Sequence, residues 1–120
     1  MSDSGELGKW GEQYAKEELL KKGLKFIASN FRFKKLEIDL VFFDKVKDEI
    51  IFVEVKTRTS DYFGEPEEAI NSLKQRKLKN CASVFLKINK EFENCSVRYD
   101  SYGIVKLKDE IKVRHTEDSF

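Results

Sequence analysis

Residues 36–57 read LEIDLVFFDKVKDEIIFVEVKT, a stretch that is apolar on both sides of any extended chain it forms. Side chains alternate across a strand, so Ile50, Phe52, Glu54 and Lys56 share one face while Ile51, Val53 and Val55 share the other. The first half repeats the pattern, with Glu37, Asp39, Val41 and Phe43 set against Ile38, Leu40 and Phe42. A strand that is apolar on both faces must be covered on both faces. The chain is therefore expected to build a sheet with structure on each side. The charges threaded into the stretch are expected at the ends of central strands.

The flanking sequence supplies the covers. From Gly5 to Lys22, Leu7, Trp10, Tyr14, Ala15 and Leu19 recur at three- and four-residue steps, which predicts an amphipathic helix. Asp3 and Glu6 have capping-box spacing at its start, and Gly23 suits the left-handed residue beyond its end. LKFIASNFRF reads as a first strand. TSDYFGEP is a loop carrying Gly64, and Pro66 suits the first turn of a second helix running from Glu67 to about Ile88, with Ile70, Leu73, Cys81, Val84 and Phe85 as its apolar stripe. SVRYDSYGIVKL and EIKVRH read as two further strands around the turn KD. The order helix, three strands, helix, two strands predicts an α+β or mixed α/β fold with a helix on each side of one sheet. At 120 residues one domain over 1–120 is expected.

Charge must be judged by its distribution, because 38% of residues are charged and yet the formal net charge is only +1. The second helix concentrates it: Lys74, Arg76, Lys77, Lys79, Lys87 and Lys90 fall between Ile70 and Lys90 with no acid among them. Such an element can track a phosphate backbone without reading sequence, or it can be a solvated helix face. The first residues hold no apolar run of the signal-peptide kind and no later stretch has membrane-spanning length, so a soluble cytoplasmic protein is expected. Cys81 and Cys95 belong to no CxxC pair, and Cys81 falls on the apolar helix face, where a buried thiol is expected. The single His115 makes neither a zinc site nor a triad by itself.

Pairing the hairpin residue by residue gives it chemistry. If Phe43 pairs with Ile50, then Val41 faces Phe52, Asp39 faces Glu54 and Glu37 faces Lys56. The last couple is a salt bridge. Two carboxylates held opposite each other repel, and one must keep a proton unless a cation sits between them. Hard oxygen ligands at this range suit Mg²⁺ or Mn²⁺, with water and a substrate phosphate completing the shell.

EID on one strand and FVEVKTR on the next resemble the PD-(D/E)XK nuclease signature, and more closely the YraN family of small bacterial proteins. The likeness runs through GKWGEQYAKEELLKKG, ASNFR, EIDLV, FVEVKTR, FGEPEEAI, KQRKL and VRYD, and so covers nearly the whole chain. It implies a restriction-endonuclease-like core, a central mixed five-stranded sheet flanked by helices, related to archaeal Holliday junction resolvases. Carried over by position, Asp39 and Glu54 hold the metal with the backbone carbonyl of Val55, Lys56 orients the attacking water, and Glu12 and Glu37 are further acids of the site. Arg58, Lys74 and Arg76 lie in KTR and KQRKL, which also match the family, and are expected to touch phosphate. Asp100 of VRYD is expected to have a structural strand-end role. Leu36 stands where family members commonly have Gly, and Ile38 replaces the Pro of the signature.

The resemblance implies a metal-dependent endonuclease acting on DNA, on branched or damaged structures, with a homodimer as the expected assembly. The competing expectation is a catalytically silent nucleic-acid-binding or adaptor protein on the same scaffold.

Overall fold

The computed structural model describes residues 3–59 and 72–120. They form α1 (Asp3–Lys21), β1 (Lys25–Phe33), β2 (Leu36–Asp44), β3 (Glu49–Arg58), α2 (Ser72–Ile88), a 3-10 turn (Lys90–Phe92), β4 (Ser96–Lys106) and β5 (Ile111–Thr116). The order of elements is the expected one. The expected cap at the Asp3 side chain, the Gly64 loop, Pro66, Ile70 and the start of the second helix at Glu67 lie outside the described residues.

The strands make one sheet in the order β1-β2-β3-β4-β5, in which only β3 and β4 run parallel. Parallel neighbours need a long crossover, and the chain between β3 and β4 carries α2 for that purpose. The β2–β3 hairpin has the expected register, with Phe43 opposite Ile50 and Val41 opposite Phe52. Its turn is held by Asp44, whose Oδ1 accepts the N–H groups of Val46 and Lys47 at 3.0 and 3.2 Å. β1 and β2 meet at a tight turn with Phe33 opposite Leu36, and its left-handed residue is Lys34. Leu36 therefore needs no glycine-like backbone, and its side chain packs against the core beneath α2.

Each sheet face is sealed by one helix. Ala15 and Leu19 of α1 lie on Leu40, Phe42, Ile51, Val53, Tyr102 and Ile104. Leu78, Cys81, Ala82 and Phe85 of α2 lie on Ile38, Val41, Ile50 and Phe52. Phe85 meets the edges of the Phe31 and Phe52 rings at 5.1 and 5.7 Å between centroids. At roughly 1.5–3 kcal/mol per fully buried large apolar side chain, the two layers supply most of the driving force, and neither helix is dispensable. Among the described residues no helix is long and apolar enough to cross a membrane.

Several expectations are corrected in detail. Ile38 packs with Val41 under α2, not with Leu40 and Phe42, which face α1. β1 does the same, since Ala28 and Phe31 both pack under α2. The two strands change face together where Asn30 adopts a left-handed φ of 52°, so their register is kept on both sides of it. On α2 the inward stripe is Leu78, Cys81, Ala82 and Phe85, whereas Leu73 is 53% exposed. Leu73 is five residues before Leu78 and so points well away from that stripe.

α1 ends as expected. Gly23 has φ 91°, its N–H donates to the Leu20 carbonyl at 3.0 Å, and the Leu24 N–H reaches the Leu19 carbonyl at 3.4 Å.

Candidate functional site

The charged ends of β2 and β3 lie where the strands stop pairing. Ladder pairing runs as far as Leu40 opposite Val53, so Asp39 and Glu54 are not ladder partners as expected. Asp39 instead turns its carboxylate into the gap, where Oδ2 accepts the Val55 N–H at 2.7 Å. A side-chain acceptor has replaced a main-chain one, which splays the strand ends and fixes the Asp39 carboxylate against β3.

That carboxylate is electrostatically unsatisfied. Burial is the largest cause pushing its pKa up to about 8, and the negative charge of Glu54 is the next. The Val55 N–H opposes the rise, while Glu12 and Glu37 add to it. The charges of three acids thus act on Asp39, so the expected repulsion between Asp39 and Glu54 persists although their pairing geometry differs.

Glu12 is brought in by close packing of α1 on β3. Gly11 is buried, and a Cβ built on it would collide with the Thr57 side chain, so the neighbouring Glu12 owes its place to the missing side chain at position 11. Asn30 Nδ2 donates to Glu12 Oε1 at 3.0 Å and to Glu37 Oε2 at 2.8 Å, tying the outer acids together. The left-handed backbone at Asn30 is a conformation that Asn tolerates better than most residues. Sequence reasoning passed over this clamp; its signal was an Asn within a run of strand-forming residues.

The expected ion pair between Glu37 and Lys56 does not form. Glu37 is held by Asn30 and, at 3.7 Å, by Arg32 on the adjacent strand, which is closer in the β1–β2 register. Lys56 is half-buried, two residues beyond Glu54 on the same strand, and engages no hydrogen bond or ion pair among the described residues. Glu54 is paired with Lys74 of α2 at 2.9 Å. It also borders a small cavity of about 10 Å³ with Ile38, Phe52, Leu78, Tyr99 and Phe120. Arg58 is half-buried at the end of β3, and Arg76 is exposed on α2.

Among the described residues no three His, Cys, Asp or Glu side chains converge into a ready-made chelate. The donor chemistry nonetheless fits Mg²⁺ or Mn²⁺: two hard carboxylates, one of them repelled by its neighbours. A soft or nitrogen-seeking ion has nothing here to hold it.

A second charged cluster lies on β4. Asp100 is fully buried in the middle of the strand, not at its end, and accepts two bonds from Arg98 at 2.9 Å, one from His115 at 2.8 Å and one from the Asp118 N–H at 2.9 Å. Burial alone would raise its pKa, but His115, Arg98 and the Asp118 N–H together hold it below the usual carboxylate range. Lys22 Nζ lies 2.7 Å from His115 Nδ1; an ammonium only donates, so Nε2 carries the proton given to Asp100. Every polar atom here is spent on the fold, as the expected structural role of Asp100 requires.

A mixed five-stranded sheet with α1 and α2 on its two faces, and acids and a lysine at the splayed ends of two central strands, is the arrangement of a restriction-endonuclease-like core. The profile of the uncharacterised protein family UPF0102 matches residues 11–104, and the chain belongs to that family, also known as YraN. It is 40% identical over 115 residues to a UPF0102 protein of Syntrophomonas wolfei subsp. wolfei, covering 96% of this chain and 97% of that one. It is 42% identical over 118 residues to a UPF0102 protein of Natranaerobius thermophilus, covering 94% and 95%. A UPF0102 protein of Clostridioides difficile is 37% identical over 115 residues, with 96% of each chain covered.

Proposed function

We propose that this protein is a metal-dependent endonuclease that hydrolyses phosphodiester bonds in DNA, with branched or damaged structures as its substrates. The observation that carries this reading is Asp39, held against β3 by the Val55 N–H and pushed up to about 8 by burial and by Glu54, Glu12 and Glu37. A fold gains nothing from concentrating repelling acids unless a cation is meant to join them.

Asp39 and Glu54, with the Val55 backbone carbonyl, are the groups that would hold Mg²⁺ or Mn²⁺. When bound there, the ion would supply an acidified water and neutralise charge on the scissile phosphate. Lys56 orients the attacking water and offsets charge as the phosphate becomes pentacovalent. Glu12 and Glu37, fixed by Asn30, accept hydrogen bonds from water around the site. Arg58, Lys74 and Arg76 hold the flanking phosphates, giving sequence-independent and salt-sensitive binding.

One observation favours a second reading, a silent DNA-binding scaffold: Glu54 already has a cation in Lys74. Incubation with Mg²⁺ and a panel of linear, nicked, flapped and four-way DNA separates the two. The enzyme reading expects cleavage of at least one member, abolished in Glu54→Ala and in Lys56→Ala. Binding without cleavage across the panel supports the scaffold, and cleavage that survives both substitutions belongs to a contaminant.

A further inference from the structure

The inward stripe of α2 does not end at Leu78. One helical step of four residues earlier on the same side lies Lys74, so the first position of an apolar stripe is filled by an ammonium aimed at the end of the sheet. Arg76, Lys77, Lys79 and Lys87 of the same helix are exposed, whereas Lys74 is half-buried. Its Nζ meets Glu54 Oε2 at 2.9 Å, with the Glu54 side chain 15% exposed and the Lys74 side chain 39% exposed. Glu54 therefore carries a partner in the half-buried mouth of the site that no solvated surface acid would need.

We infer that Lys74 is the resting counter-ion of Glu54, a built-in cation that nucleic-acid phosphate draws away so that Glu54 becomes available to a divalent metal. This rests on the reading of Asp39 and Glu54 as the metal-binding pair. Charge balance drives the exchange: one ammonium leaves a carboxylate as a divalent ion arrives between two. The lysine stem makes it mechanically simple, because a flexible four-carbon chain bearing a compact point charge can swing to a phosphate without moving the helix.

Two consequences follow. Without nucleic acid, Lys74 competes with metal, so the site loads weakly. With a phosphate backbone lying along α2, the competitor is engaged elsewhere and metal affinity rises. By reciprocity, metal strengthens nucleic-acid binding by the same factor. The enzyme is thus loaded in the presence of its substrate class, and the pair that suggested a silent scaffold becomes its safety catch.

The test is calorimetric titration of the full chain with Mn²⁺ at mildly alkaline pH, comparing wild type, Lys74→Gln and Lys74→Arg. Helix content is checked by circular dichroism, and Gln is a good helix former at this half-buried position. Lys74→Gln is expected to bind Mn²⁺ roughly twofold to fivefold more tightly than wild type, the upper part of the range for removing a partly exposed ion pair. Lys74→Arg keeps the competing charge and stays near wild type. A short duplex, added in Ca²⁺-free buffer at low salt, is expected to tighten Mn²⁺ binding in wild type by a factor that shrinks in Lys74→Gln. Equal or weaker Mn²⁺ binding by Lys74→Gln overturns the inference while leaving the metal site standing. Failure of every protein to bind Mn²⁺ removes the metal reading and this inference with it.

Discussion

Replacing Asp39 with asparagine removes a charge without changing shape, and the site geometry gives the sign and size of the effect. In the metal-free protein the folded-state pKa of Asp39 is pushed up to about 8 from an ordinary 3.8, by burial first and Glu54 second. The unfolded chain gives up this proton near the ordinary value, while the folded chain keeps it. Stability is therefore full at low pH and falls as pH rises from about 4 through 8, since folding must recapture a proton. At about 1.36 kcal/mol per pH unit the ceiling is on the order of 5 kcal/mol, and the higher effective dielectric of a site open to solvent reduces the expected loss to roughly 2 kcal/mol. The amide oxygen introduced by the substitution can still accept the Val55 N–H, and the amide bears no charge. Asp39→Asn should thus match wild type near pH 4 and exceed it at pH 8.5, by about 8 °C in Tm at roughly 4 °C per kcal/mol for a chain of this size. Saturating Mg²⁺ should close the gap by stabilising wild type alone, since only the native acid pair binds it. Scanning calorimetry at the two pH values, with EDTA and with Mg²⁺, measures all four conditions. A lower Tm for Asp39→Asn at pH 8.5 in EDTA, or a flat wild-type stability between the two pH values, refutes the reasoning.

Other perturbations probe the supports of the site. Gly11→Ala drives a methyl into Thr57 and should cost about 1–3 kcal/mol in urea unfolding; an unchanged midpoint would mean that α1 is not seated on β3 there. Asn30→Gly and Asn30→Ala both lose the bond to Glu12 and Glu37, but Ala also meets the left-handed φ, so Ala should be the less stable by about 1 kcal/mol. Asp100→Ala strands Arg98 and His115 in a buried place and should cost about 3–5 kcal/mol. Because Asp100 is held below the usual carboxylate range, its contribution is present above that range and is lost as pH falls through the folded value. Acid titration followed by circular dichroism should accordingly show a shallower transition in Asp100→Asn than in wild type.

The fold was legible because its signals are local. Two-sided apolarity in β2 and β3 demanded covers on both faces, and the helical periodicity on either side named them. Gly23 marked the end of α1 because only a residue without Cβ adopts that φ cheaply. The acids of the candidate site were legible too, since a carboxylate inside an apolar strand is costly wherever the strand goes. Their partners were not. Glu37 was matched to Lys56 by counting along an ideal hairpin, yet the ladder stops before reaching them and Arg32 and Asn30 approach from β1. Lys74 looked like one of several basic residues on a helix, and nothing local set it apart.

The sequence by itself determined the order of the elements, most of the core, and that Asp39 and Glu54 had to be near one another, although it placed Leu73 inward and Ile38 on the wrong face. Alternation and helical periodicity are properties of the backbone, and hydrophobic burial acts on each side chain regardless of its neighbours. The tertiary structure decided who neutralises whom. It closed α1 onto β3 at Gly11, turned Asp39 onto the Val55 N–H, and set Lys74 against Glu54. Those pairings depend on the packing angle of a helix and on the splay of two strands. Electrostatic energy falls steeply with distance and with solvent access, so a shift of a few ångströms that leaves the fold unchanged chooses a different partner.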